Sequence, residues 1–164
     1  MRKSLVAGFA GGLIALLTPG VASSQPAQTV VSSTTVTASG VINHSCGPKQ
    51  DPNRLAHKTR DDIAHVTIGH SRIALRAGAT AGYRTFYYWA RITGGNVGNT
   101  VWLDWGDSPS APPQSWHECG PYRIRSGHDT HTHAVNYVRD SRNARHFRAC
   151  GHHAGKTRCT KWVF

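Results

Sequence analysis

The chain has 164 residues, with 19 Lys or Arg against 8 Asp or Glu, 11 His and a formal net charge of +11 at pH 7. That length supports one domain with a real core. It contains no C-x-x-C pair for a structural zinc site, no P-loop or dinucleotide fingerprint and no G-x-S-x-G nucleophile elbow, so those chemistries are set aside.

Residues 1–23 read as a secretory signal peptide. Arg2 and Lys3 precede an apolar run over 5–17, Pro19-Gly20 breaks it, and cleavage is expected after Ser23 or Ser24. The run is too short to span a bilayer, so the expected product is secreted and extracellular, with no integral membrane segment after processing. Residues 24–39 are Ser/Thr/Val-rich and uncharged, which predicts a flexible lead-in that becomes a strand near 36–42. Pro48 and Pro52 mark 47–60 as loop.

Beyond Asp62 the apolar period is two. Ala64, Val66 and Ile68 alternate with polar residues, then Ile73 and Leu75 point inward with basic residues outward. Phe86, Tyr88, Ala90 and Ile92 share one face of the next run, and Tyr87 and Trp89 the other. Val101, Leu103 and Trp105 define another strand, 107–115 a Pro/Ser-rich loop, and 115–125 and 133–138 two more strands. The last stretch, 145–164, reads as a hairpin. Cys150 and Cys159 lie symmetrically about Ala154-Gly155, Phe147, Ala149, Thr160, Trp162 and Phe164 are expected to face the core, and His146, Arg148, Lys161 and the cysteines the other side. No helix of about ten residues is supported by the pattern. The sum predicts an all-β fold, a single antiparallel β-sandwich-like domain over 40–164.

Four cysteines in an exported chain predict two disulfides. The turn symmetry favours Cys150–Cys159, leaving Cys46–Cys119 to close a loop of about seventy residues, worth about 4 kcal/mol in the chain-entropy treatment.

The motifs WLDW (102–105), SWHECGP (115–121), FRACG (147–151) and CTKW (159–162) resemble a group of small secreted actinobacterial proteins that carry no known activity. The likeness covers roughly the C-terminal sixty-five residues. It implies a disulfide-stapled β-fold and nothing about catalysis.

Three chemistries are legible. Arg142, Arg145, Arg148, Lys156, Arg158 and Lys161 concentrate charge on the terminal hairpin, an expected binding face for an anionic polymer such as nucleic acid, teichoic acid or an acidic glycan. His128, His131 and His133, with Asp129 among them, suit zinc or copper if 129–133 is one extended strand, which would set His131 and His133 about 7 Å apart on one face. Glu118, with Arg123, Arg125 and a neighbouring histidine, permits acid–base hydrolysis of nucleic acid, although on a regular strand Glu118 faces away from Arg123. Asp104 and Glu118 can also face each other across a hairpin. Tyr87, Trp89, Trp102 and Trp116 cannot all point into one core, and a second packed sheet is the expected cover. The reading favoured is a monomeric, non-catalytic cationic module without a cofactor; the alternatives are a small hydrolase and a histidine-mediated metal binder.

Overall fold

Alternation of apolar and polar residues dictates strands, and the computed structural model, which describes residues 40–59 and 61–164, is built from them. The signal-peptide and lead-in expectations for 1–39 lie outside the described residues. In chain order the strands are β1 (Gly40–Asn43), β2 (Lys49–Gln50), β3 (His57–Lys58), β4 (Ala64–Ile68), β5 (Ser71–Ala79), β6 (Phe86–Thr93), β7 (Thr100–Ser108), β8 (Ser115–Arg123), β9 (Thr130–His131), β10 (Ala134–Asn136), β11 (Ala144–His153) and β12 (Lys156–Cys159). Among the described residues the only helical pieces are two 3-10 turns, Pro52–Arg54 and Ala81–Tyr83.

These strands form two sheets. Sheet A has the order β1-β8-β7-β11-β12, and sheet B the order β2-β10-β6-β5-β3, with β4 on β5 and β9 on β6. Every pairing is antiparallel except β1 with β8. The inward sets of both sheets meet in one core, with Ile73, Leu75 and Ile92 from sheet B against Val101, Leu103 and Phe147 from sheet A, all fully buried. Burying each such side chain stabilises by about 1.5–3 kcal/mol. The sheets approach closely where β11 crosses β5: a Cβ on Gly151 would lie 2.3 Å from Ile73 Cδ1, so only glycine fits there. This is the expected all-β sandwich.

Both disulfides form as expected, Cys46–Cys119 and Cys150–Cys159. Cys150 stands directly opposite Cys159 in the β11–β12 ladder. The two residues between these strands, Ala154 and Gly155, have φ of 49° and 75°, the paired positive values of a type I′ turn.

Besides a register shift on β1 between Val41 and Asn43, two bulges change the faces of residues considered above. On β8, Gly120 and Pro121 together oppose Trp102, because Leu103 pairs with Cys119 while Val101 pairs with Tyr122. Arg123 is thereby turned onto the same sheet face as Glu118, not the opposite one as a regular strand requires. After β12, Thr160 bonds to Ala149 but Val163, not Trp162, bridges Phe147. One extra residue rotates Trp162 out of its expected core position and onto the outer face beside Arg148. The outer face of sheet B also differs from expectation. Trp89 is buried there by Leu55 and Ala134, so a loop rather than another sheet covers it.

Candidate functional site

The inward turn of Ile73, Leu75 and Ala77 on β5 forces Arg72, Ala74 and Arg76 outward, and on β6 the same rule sends Trp89 and Arg91 outward. Register does the rest. Arg76 stands opposite Trp89, Arg91 opposite His131 of β9, and Lys58 of β3 beside Gly78. The result is a cavity of about 420 Å³ lined by Lys58, Arg76, Arg91 and His131, with Trp89 and Asn53 among its walls.

Its cations are held in place by neighbouring acceptors. Asp62 accepts from Arg76 Nη1 at 3.0 Å and Arg72 Nε at 2.7 Å, and Arg76 Nη2 donates to the Thr59 carbonyl at 2.7 Å. Arg76 Nε is buried with no hydrogen-bond partner. Arg91 Nη2 donates to Asp129 Oδ2 at 2.7 Å, and Lys58 Nζ to the Asn53 carbonyl at 3.3 Å. His131 is fixed at both ring nitrogens, by Asn53 Nδ2 at 3.2 Å and the Thr132 carbonyl at 2.9 Å.

A second cavity, about 650 Å³, adjoins the first and shares Asp129 and Thr130 with it. It is lined by Tyr122, Arg123 and Arg125. Burial raises the pKa of Tyr122 above the usual phenol value, partly offset by a hydrogen bond to the His133 backbone. Lys58, Arg76 and Arg91 thus border the first cavity and Arg123 and Arg125 the second, with the acid Asp129 lining both. A surface of this kind attracts phosphate or other polyanions.

The residues expected from sequence are distributed differently. His131 lines the first cavity and Arg123 the second. The extended 129–133 strand does not form, since β9 ends at His131 and β10 begins at Ala134. His133 instead packs edge-on against the Tyr122 ring, and His128 Nδ1 is 3.0 Å from the Gly95 carbonyl. Among the described residues the one set of three or more His, Cys, Asp or Glu with ligand atoms within 4.8 Å of one another is Asp104, Cys150 and Cys159, whose sulfurs are bonded to each other.

On the terminal hairpin Arg142, Lys156, Arg158 and Lys161 are exposed. Arg145 is buried, with its guanidinium on both oxygens of Asp107 at 2.7 and 2.9 Å and 4.5 Å from the Trp105 ring centre. Arg148 lies between Trp116 and Trp162, 4.9 and 4.7 Å from their rings, and donates to Asp104 at 2.7 Å. Both arginines are committed to internal partners.

Glu118 sits opposite Asp104 on the outer face of sheet A, 3.2 Å from His44 Nδ1. That carboxylate–imidazole pair lies on the outer face of sheet A, the face that Arg123 also takes, whereas Lys58, Arg76 and Arg91 lie on sheet B. Lys58, Arg76 and Arg91 were not singled out by sequence. Their signal was the outward basic residues of 72–76 facing an outward aromatic at Trp89, which becomes visible only once β5 and β6 are paired.

No family model, curated protein or solved structure matches the chain.

Proposed function

We propose that the protein is a secreted, monomeric, non-catalytic module that binds an anionic polymer through two neighbouring cavities that share Asp129 and Thr130. The observation that carries this reading is the placement of five cations, Lys58, Arg76 and Arg91 around one cavity and Arg123 and Arg125 around its neighbour, with Asp129 the single acid in the two linings. The cations come from four separate segments, so their meeting is a product of the fold and not of local composition. The two disulfides suit an oxidising, extracellular setting.

Retention on immobilised RNA tests it. Binding is expected to fall linearly in log–log form with salt, because neutralising phosphates releases counterions. The double variant Lys58→Ala/Arg91→Ala should weaken retention and reduce the salt slope by about one for each phosphate no longer neutralised. The hairpin triple Lys156→Ala/Arg158→Ala/Lys161→Ala should have the smaller effect. Failure of the wild type to bind at about 50 mM salt would overturn the reading. Weakening confined to the hairpin triple would move the site to the terminal hairpin. RNA recovered intact is expected, and shortened RNA would replace binding with hydrolysis.

A further inference from the structure

At the edge of sheet B the first of these cationic cavities shares Lys58 with a slot of different chemistry. β3 is an edge strand only two residues long, and its side chains point to opposite faces. Lys58 lines the 420 Å³ cavity on one face and also a cavity of about 210 Å³ that includes His57. This smaller slot has a floor of Ala77, Gly78 and Ala79 and walls of Tyr83 and Phe86.

Its aromatics are unusually open. Tyr83 is 58% exposed and Phe86 45%, although the core beneath them is closed. Tyr83 stacks on His57 with ring centres 4.1 Å apart and planes 12° from parallel. Phe86 lies 6.4 Å from Tyr83 in a tilted arrangement. Tyr83 also has φ of 55°, a left-handed backbone that a bulky residue adopts only when its surroundings hold it there. Here the Tyr83 N–H donates to the Thr80 carbonyl at 3.0 Å, and the Thr85 N–H to Thr80 Oγ1 at 3.2 Å. The fold thus holds a phenol ring outward beside an apolar floor.

Resting on the polyanion reading above, we infer that the polymer is single-stranded nucleic acid, with a base in the Tyr83/Phe86 slot and the following phosphates in the Lys58–Arg76–Arg91 cavity. Teichoic acids and acidic glycans offer charge without flat π-faces. Single strands offer both in alternation, and sequence-tolerant readers combine a basic groove with exposed aromatic rings. A slot smaller than the roughly 300 Å³ of drug-sized sites suits one planar ring. The slot and the cavity lie on either side of β3 and share Lys58. Duplex is disfavoured, because its bases are already stacked and cannot enter.

The test compares two probes by fluorescence anisotropy at fixed salt: a labelled oligothymidylate and inorganic polyphosphate as competitor. The wild type should bind the oligonucleotide more tightly than polyphosphate of matched charge. Phe86→Leu, which keeps apolar volume but removes the ring, and Tyr83→Gly, which suits the positive φ, should each weaken oligonucleotide binding about tenfold. Polyphosphate binding should be unchanged in both variants, which also shows that they fold. Lys58→Ala/Arg91→Ala should weaken both probes. Equal affinity for the two probes, or variants that leave the oligonucleotide unaffected, would overturn base stacking while the polyanion reading stands. Weakening of both probes by the ring variants would likewise overturn it. Binding of neither probe would remove both readings.

Discussion

Asp104 shows how one side chain can set a pH response. Its side chain is 1% exposed, and burial raises its pKa from 3.8 to about 6 despite the opposing hydrogen bond and charge of Arg148; the nearby Glu118 adds to the rise. The folded protein therefore holds this proton more tightly than the unfolded chain does. Its contribution is full below the unfolded pKa of 3.8 and is lost as pH rises through about 6. Relative to Asp104→Asn, which does not titrate, the wild type should gain about 2 kcal/mol between pH 6 and pH 4. Urea unfolding at several pH values measures the difference, and a flat difference curve would show that Asp104 ionises normally in the fold. Tyr88 has the same origin of shift: burial, then the neighbouring Tyr137, pushes its phenol up to about 12.

At the scale of elements, the β11–β12 hairpin was legible down to its register. Symmetric cysteines, alternating residues and a central Gly155 leave little choice, and Cys150 does face Cys159. Ala154 is the poor fit, because an alanine at φ of 49° bears a left-handed cost. Ala154→Asn keeps the type I′ turn and should raise the midpoint of thermal unfolding by about 3 °C; a lowered midpoint would contradict this turn. The bulges were not legible. Gly120-Pro121 and Lys161-Trp162 each insert one residue against a partner strand, and a single insertion exchanges the two faces for everything beyond it. Alternation read from sequence carries no marker of that reset. Arg123 and Trp162 were accordingly placed on the wrong faces, whereas Phe147 and Ala149, before any reset, were placed correctly.

At the scale of the whole molecule, the fold was readable because burial acts on every strand, while the site depends on which strands become neighbours. Arg76, Arg91 and Lys58 are separated along the chain and meet through β3–β5–β6 pairing alone. The disulfides act at this scale too. Cys46–Cys119 spans 73 residues and fastens the segment after β1 to β8, whereas Cys150–Cys159 spans 9 within one hairpin. Replacing both members of the long-range pair with serine should cost about 4 kcal/mol, and the hairpin pair about 3 kcal/mol, in denaturant unfolding. A reversed order would mean that local packing around Cys150 outweighs loop closure.

The rims of the two sheets carry a consequence for behaviour in concentrated solution. Sheet B ends in β2 and β3, each two residues long and each bearing a lysine, and the remaining rim along β5 is taken up separately by β4. In sheet A, β12 is four residues long and carries Lys156 and Arg158. These short, charged edges offer no long flat template onto which a second copy can add a strand, whereas β1 at the other rim of sheet A is uncharged and exposes Val41 and Ile42. In concentrated solution, edge-to-edge fusion of copies is therefore blunted at β2, β3 and β12 and left to the four residues of β1.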